Sequence, residues 1–356
     1  MLIQDTSIFF NELEQAFKNK KPFVAYNKPN ETTIISYVQK LSDLFVLKSF
    51  NQKGFVFSPF LSEKQKVFFP IEKCTISSTN FNNETLAVKN HVDELEIISF
   101  SKSKDDYIQL IDNTIQFIKQ TSTDKVVISR KETLKKRDFN IFKTYKKMLH
   151  NYPGAFVYCW YHPKVGLWMG ASPERFLNIE NKQFKTMSLA GTQVFSEKNE
   201  VVWNEKEKEE QQFVTNFTLD NINGIADAIK TKGPYTVKAG NLVHLRTDIS
   251  AKITSNQLIE DLVLKMHPTP AVCGLPKQEA KDFILKHEGY NRSFYTGFLG
   301  ELNVANATNF YVNLRCMEIG DKSVAVYVGG GITAASIADK EWEETVSKSK
   351  VMKKVL

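Results

Sequence analysis

The 356-residue sequence predicts an α+β protein with extensive antiparallel sheet. Three observations predict this class. Short β-type runs separated by Gly, Pro and Asn fill residues 21–80. Paired strand-like runs, GAFVYCWYHP and GLWMGASPERFLNIENKQFKTMSLAGT, occupy the middle of the chain. Further strand-like runs precede a closing helix.

The elements follow from local patterns, taken in chain order. Residues 1–20 form an amphipathic helical pattern, and the runs FVAYNKP, TTIISYVQ, LFVLKSF and GFVFSPF predict strands. Residues 103–121 and 138–150 predict helices on either side of the strand-like KVVISR at 125–130. A helical pattern at 204–230 places apolar residues at 213, 214, 217 and 222. Strands are then predicted for YTGFLGELN, NFYVNLRCMEIG and SVAVYVGGGIT, and a helix from about residue 338.

The stretch MHPTPAVCGLP, residues 266–276, holds three prolines and cannot run as a regular helix. It connects a helical pattern at 255–265 to another at 277–287. We interpret it as a stiff apolar connection, either a rigid turn or the wall of a binding site.

Bulk composition restricts the class of protein. The length suits one large domain or two ordinary ones, and no apolar run approaches the roughly 18 residues that span a bilayer. The N-terminus lacks the features of a signal peptide. The four cysteines are far apart and suggest reduced thiols in a cytoplasm. The net charge of +7 is spread along the chain, so an anionic small-molecule substrate is favoured over nucleic acid, although residues 131–147 could form a basic helix face.

Two acidic helices are candidates for a metal site. Glu207 and Glu210 share one helix face, as do Glu341 and Glu344, and Lys348 follows Glu344 by four residues. Their spacing is typical of solvated surface charge with a salt bridge. It would also allow each helix to present a carboxylate to one Mg²⁺, which prefers hard oxygen ligands.

Small and charged residues on strands are candidates for carboxylate binding. The stretch VGGGITAAS at 328–336 lies at a strand end and exposes backbone N–H groups, and SLAGT at 188–192 offers a similar turn. Both could equally be tight strand exits. Arg315 is predicted to be a charge on an otherwise apolar strand, suited to a carboxylate or to a structural ion pair. His244 and His267 are isolated, which is typical of structural histidines.

Ten motifs occur together in order. They are KVVISR, GASPERF, LAGT, EKEKEEQQFV, VHLRTDI, MHPTPAVCGLP, EGYNRSFYTGFLG, NLRCMEI, GGGI and EWEETVSK. Over residues 118–356 the chain resembles the chorismate-utilising enzymes, which include isochorismate, salicylate and anthranilate synthases. The resemblance implies large, mixed, mostly antiparallel sheets packed as a sandwich with helices outside. It also implies one interleaved domain in which residues 1–117 are the variable N-terminal part.

Within this family the chain most resembles isochorismate synthase. The resemblance makes Lys125 the general base of the water-using branch, and Ala190 replaces the nucleophilic lysine of aminodeoxychorismate synthases. Ala271 and Val272 match the small-residue pattern of isochorismate synthases. A salicylate synthase is the alternative, because it uses the same acid and base. A non-catalytic chorismate- or nucleic-acid-binding protein is the alternative of another class.

The resemblance also assigns the remaining roles. It implies that Glu174 is the general acid and that Glu210 and Glu344 bind Mg²⁺ with support from Glu207 and Glu341. Substrate contacts are implied for Gly191, His244, Ala271, Tyr295, Arg315, Gly329 and Lys348. Three positions depart from the family pattern: Gln211, Gly330 and Cys273. The changes near residues 271–273 could alter product choice.

The implied reaction sets a physical requirement. Water needs a base to attack C2 of chorismate, and the departing 4-hydroxyl needs a proton from a neutral acid. The lysine must therefore be neutral and the glutamic acid protonated, and burial disfavours the charged form of each. We expect an enclosed pocket in a cytoplasmic, monomeric enzyme, with isochorismate used for menaquinone or siderophore synthesis and menaquinone favoured.

Overall fold

The structure, a computed structural model, describes residues 2–61, 63–81, 96–135, 139–195, 201–239, 242–255 and 258–356. The helices in these ranges are α1 (Thr6–Lys18), α2 (Lys104–Gln120), α3 (Ile141–Asn151), α4 (Glu205–Ile222), α5 (Leu258–Met266), α6 (Lys277–His287) and α7 (Ala338–Lys353). A short 3-10 helix covers Ile71–Lys73. The described helices include none with the length and apolarity that crossing a bilayer requires.

The strands of the first half are β1 (Leu2–Ile3), β2 (Phe23–Asn27), β3 (Thr33–Gln39), β4 (Gly54–Ser58), β5 (Val67–Pro70), β6 (Cys74–Asn80), β7 (Ile97–Phe100), β8 (Lys125–Lys135), β9 (Phe156–His162) and β10 (Gly166–Ser172). The later strands are β11 (Arg175–Glu180), β12 (Gln183–Val194), β13 (Ala226–Ala239), β14 (Leu242–Ile253), β15 (Gly274–Leu275), β16 (Phe298–Val304), β17 (Ala307–Val312), β18 (Cys316–Ile319) and β19 (Ser323–Ile332).

The predicted α+β class is confirmed, with corrections to three elements. The helix predicted for 204–230 ends at Ile222, because Gly224 takes a left-handed φ of +77° and the chain continues into β13. The run at 44–50 forms only an isolated bridge at Val46. The strand predicted for 309–320 breaks between β17 and β18, and Arg315 lies in that break with a φ of +47°.

The strands form two sheets. Sheet I has the order β1-β6-β3-β2-β9-β10-β18-β19-β8-β15, with β7 also on β8, and its pairs are antiparallel except β1 with β6. Sheet II has the antiparallel order β13-β14-β12-β11-β17-β16-β4-β5. Strands from the N-terminal third lie inside both sheets, since β2 pairs with β9 and β4 with β16. The division at residue 118 stays a prediction.

Strand periodicity decides which core each side chain enters. On β2, Val24 and Tyr26 face the aromatic interior between the sheets, while Phe23 and Ala25 pack with α1 and α3 on the outer face. Across the interior, Phe156 of sheet I stacks on Tyr311 of sheet II with ring centroids 4.2 Å apart. Helices α4 and α5 cover sheet II in the same way. The result is a sandwich with helices outside.

Two of the crossings that the chain makes between the sheets lie next to each other. Pro173 and Glu174 join β10 of sheet I to β11 of sheet II, and residues 313–315 join β17 of sheet II to β18 of sheet I. Each crossover accepts a hydrogen bond from a strand beside the other crossover. Val312 N of β17 donates to Glu174 O, and Ala171 N of β10 donates to Arg315 O, both at 3.0 Å. A carboxyl group and a guanidinium are thereby fixed at the junction of the two sheets.

Candidate active site

A pocket lies at this junction, between the two crossovers, the start of β8, the end of β19, and helices α4 and α7. It brings together residues that are up to 223 positions apart in the chain, from Lys125 to Lys348. The predicted site residues that line it are Lys125, Glu174, Gly191, Glu210, His244, Ala271, Tyr295, Arg315, Gly329, Glu344 and Lys348. Glu207 and Glu341 do not line it.

Lys125 occupies the first position of β8, where β15 pairs with it through Leu275. Its side chain is 1% exposed, and its Nζ lies 2.6 Å from Glu210 Oε1 on α4. A Cβ at Gly331 would lie only 2.4 Å from that oxygen and 2.6 Å from Lys125 Cε. The third glycine of the GGG stretch therefore makes room for the ion pair.

Glu174 lies on the first crossover and is 4% exposed. Burial raises the pKa of its carboxyl to about 8, although Lys125 nearby acts in the opposite direction. A carboxyl with this pKa is largely protonated at neutral pH. It can therefore donate a proton, as the acid role requires.

Arg315 lies on the second crossover and faces the same pocket. Burial lowers the pKa of its guanidinium, while Tyr295 and Glu344 oppose the shift. Within the part of the chain that the structure describes, no carboxylate forms an ion pair with it. Its donors are available to an anionic ligand.

His244 of β14 forms one side of the pocket. Its Nδ1 lies 3.0 Å from the carbonyl oxygen of Gly191, so that nitrogen carries the proton and donates. Burial, with Arg315 and Lys348 nearby, lowers the pKa of the imidazole to about 3. His244 is therefore neutral across the physiological range.

The carboxylates of α7 differ in their surroundings. Glu344 is 27% exposed in the pocket and pairs with Lys348, whose Nζ also donates to Gly329 O at 3.1 Å. Glu341 is buried behind Gly330, where an added Cβ would lie 3.7 Å from its Oε2. The predicted salt bridge of α7 is present, and it faces the pocket rather than solvent.

The carboxylates of α4 also divide. Glu210 lies in the pocket, whereas Glu207 Oε2 accepts from the backbone N–H of Asn204 at 3.0 Å and caps the helix. Across the described ranges, no three His, Cys, Asp or Glu side chains are grouped to hold a metal. The donor set that remains is Glu210 and Glu344. Two carboxylates beside an anion site fit Mg²⁺, which keeps several waters and often binds through one or two carboxylates plus substrate.

A buried network behind the pocket wall was not predicted. Arg292 donates to the carbonyl oxygens of Val127 at 2.6 Å and Val272 at 2.8 Å, and its Nε donates to Glu288 Oε2 at 2.8 Å. Val127 and Val272 both line the pocket. The four-residue spacing of Glu288 and Arg292 in EGYNR was the available signal.

The HPTPAVCGLP stretch contributes Ala271 and Val272 to the pocket. Cys273 is fully buried beside α6 and does not line it. His267 Nε2 bonds the carbonyl oxygens of Pro59 and Phe60, in keeping with a structural histidine. Of residues 271–273, the first two can therefore contact a molecule bound in the pocket, and Cys273 cannot.

The other two departures have defined environments. Gln211 is 2% exposed, and its Nε2 donates to Thr247 Oγ1 at 2.8 Å and Ser188 O at 3.3 Å. Gly330 lines the pocket and pairs with Ile128 of β8. The three glycines therefore belong to strand β19 and do not form the tight strand exit that was the alternative interpretation.

Comparisons with known proteins bear on this pocket. The profile of a family described as chorismate binding enzyme matches residues 39–356. Isochorismate synthase MenF of Pasteurella multocida is 27% identical over 84% of this chain and 72% of its own length. Isochorismate synthase MenF of Bacillus subtilis is 28% identical over 77% of this chain and 58% of its own length, so the chain spans little more than half of that relative. The crystal structure of DhbC from Bacillus anthracis superposes with a TM-score of 0.80 at 21% identity, over 96% of this chain and 98% of that one, which establishes a shared fold.

Proposed function

The chain belongs to the family of chorismate-binding enzymes, and from this premise we propose that it is an isochorismate synthase, which converts chorismate to isochorismate. The observation that carries the proposal is the pairing, in one pocket, of a buried glutamic acid with a pKa of about 8 and a buried lysine. Two relatives named isochorismate synthase support it.

The acid step belongs to Glu174. As the C4–O bond of chorismate breaks, the carboxyl proton of Glu174 passes to the departing hydroxyl, which leaves as water. A carboxyl of ordinary pKa, roughly 4.3, would be ionised at neutral pH and could not donate. The raised pKa of Glu174 therefore supplies the required protonation state.

The base step belongs to Lys125. This step requires the neutral amine, which takes a proton from water while the water oxygen bonds to C2 and the two ring double bonds shift towards C4. One water enters and one leaves, so the reaction is an isomerisation. The 2.6 Å contact with Glu210 Oε1 holds Nζ at the edge of the pocket, and the ammonium must lose its proton before the lysine can act as the base.

Anionic groups on the substrate find two kinds of partner. Arg315 offers its planar guanidinium to a carboxylate. Tyr295 lines the pocket beside it, and its hydroxyl lies so close to Gly329 that a Cβ added there would be 3.0 Å away. Glu210 and Glu344 would hold Mg²⁺, whose charge would bind the ring carboxylate and draw electron density towards it. Isochorismate would then feed menaquinone or siderophore synthesis.

The product decides the proposal. The purified protein is incubated with chorismate and MgCl₂, and the products are separated by chromatography. We expect isochorismate to accumulate. Salicylate with pyruvate would instead identify the alternative synthase, and unchanged chorismate would overturn the proposal.

The metal role has its own test. Glu210→Gln and Glu344→Gln should each weaken Mg²⁺ binding, measured by calorimetry, and abolish turnover. Matched controls are Glu209→Gln and Glu343→Gln, which change the exposed neighbours on the same helices. Full activity of the wild-type protein in excess EDTA would contradict the metal role.

A further inference from the structure

A second cavity, of about 260 Å³, adjoins the catalytic pocket. It lies between the end of α3 with residues 152–155, which connect α3 to β9, and strands β13 and β14. The two cavities share four lining residues: Pro173, Leu189, His244 and Arg315. The second cavity, here called the vestibule, therefore begins where the catalytic pocket ends.

Exposure differs between the two cavities. Each described residue that lines the catalytic pocket is buried or half-buried. The vestibule instead includes three exposed residues, Pro153, Gly154 and Lys238, as well as buried ones such as Ala155 and Ala171. Its lining thus runs from the protein surface to the shared residues His244 and Arg315.

The charge of the vestibule is of one sign. Lys238, Arg246 and Arg315 line it, and among the described lining residues there is no Asp or Glu. Asp248 pairs with Arg246 at 2.6 Å, which leaves Lys238 near the surface and Arg315 at the inner end as the net positive charges. Such a gradient favours a multiply charged anion over a neutral or cationic molecule.

We propose that the vestibule is the route by which the dianionic substrate reaches the catalytic pocket, with Lys238 at its outer end. The identity of the dianion as chorismate rests on the proposed function. The walls of the route are the 152–155 connection on one side and β13 on the other.

Cysteine labelling tests the route, because all four native cysteines are buried and should not react in the folded protein. Gly154→Cys and Lys238→Cys place one thiol on each wall. A Cβ at Gly154 would meet no atom closer than Asn30 Oδ1 at 3.8 Å, so this change should leave the backbone undisturbed. Lys230→Cys is the matched control, since residue 230 is exposed on the same strand as Lys238 but lies outside the vestibule.

Each variant is labelled with a polyethylene-glycol maleimide and compared with its unlabelled form. Blocked access should lower kcat/KM at least about tenfold for the adducts at 154 and 238, while the adduct at 230 changes it less than about twofold. Unchanged kcat/KM with both wall positions fully labelled would overturn the proposal. The rate of chorismate binding, followed by stopped flow, is measured in parallel. A protein that binds chorismate without converting it would contradict the proposed function yet still report on the route.

Discussion

Two arginines beside the catalytic pocket have opposite surroundings. Arg292, behind the wall, is 3% exposed and donates to Glu288 and to two backbone carbonyls. Arg315, in the pocket, forms no ion pair with any described carboxylate. Burial lowers the pKa of both guanidinium groups, but at Arg292 the neighbouring Glu288 outweighs burial and keeps the pKa above its usual value.

The difference shows which charges serve the fold and which serve the ligand. A buried charge without a partner costs stability, and removing one member of a buried pair costs more. Arg292 and Glu288, here called the rear pair, neutralise each other's charge and hold the pocket wall in place. Arg315 and Glu174 both line the pocket, where their hydrogen-bonding groups can reach a bound substrate. Substitutions of Arg315 or Glu174, at the front of the pocket, should therefore mainly affect turnover. Substitutions of the rear pair should mainly affect stability.

The largest expected effect is on turnover, from the front of the pocket. Glu174→Gln removes the proton donor at constant shape, and Lys125→Ala removes the base. Each should lower kcat by at least about 10²–10⁴-fold, the usual contribution of a general acid or base. Isochorismate formation measures kcat, and thermal unfolding should show that Glu174→Gln is no less stable than the wild type. Near wild-type turnover by either variant would remove the assigned role.

Behind the wall, Arg292→Met should act mainly on stability. It leaves the carboxylate of Glu288 buried with hydrogen bonds from Ser129 but without its ion-pair partner, which should cost roughly 3–5 kcal/mol of the free energy of unfolding. Urea denaturation measures this. The double variant Arg292→Met/Glu288→Gln should recover part of the loss, because no ionised group is then stranded. A stability equal to that of the wild type would show that the rear pair is not the structural one.

Arg315→Gln should separate substrate binding from stability. Losing a charge-assisted contact with a carboxylate should lower kcat/KM by about 10- to 100-fold. The free energy of unfolding should not fall, because Arg315 has no ion-pair partner among the described residues. Arg315→Lys retains the charge without the planar fork and should recover only part of the activity. A large loss of stability with unchanged kcat/KM would reverse the comparison.

Much of the fold was predictable from local patterns. Helix α6 begins and ends at the predicted residues 277 and 287, and α7 begins at the predicted residue 338. Strand β13 was missed, because its sequence is polar and its side chains are mostly exposed. Its strand conformation comes from pairing with β14, a tertiary contact that no local pattern contains.

The site was predictable only as a set of residues. The motifs identified the side chains that meet in the pocket, but not their arrangement. The contact between Lys125 and Glu210 depends on strand register and on the missing side chain at Gly331. Arg315 was placed on a strand because its neighbours are apolar, and the structure shows that those neighbours belong to two different sheets. Long-range topology decides both.

The smallest expected effect lies in the pH dependence of stability. Glu174 has a pKa of about 8 in the folded protein, against an ordinary value near 4.5. Between these values the folded state holds a proton that the unfolded state releases, so the free energy of unfolding falls as pH rises. Glu174→Gln lacks this proton and should gain roughly 1 kcal/mol of stability relative to the wild type as the pH rises from about 6 to about 7. Urea denaturation at both pH values measures the difference. Parallel stability curves would mean that Glu174 is ionised in the folded protein, and the front of the pocket would then lack its acid.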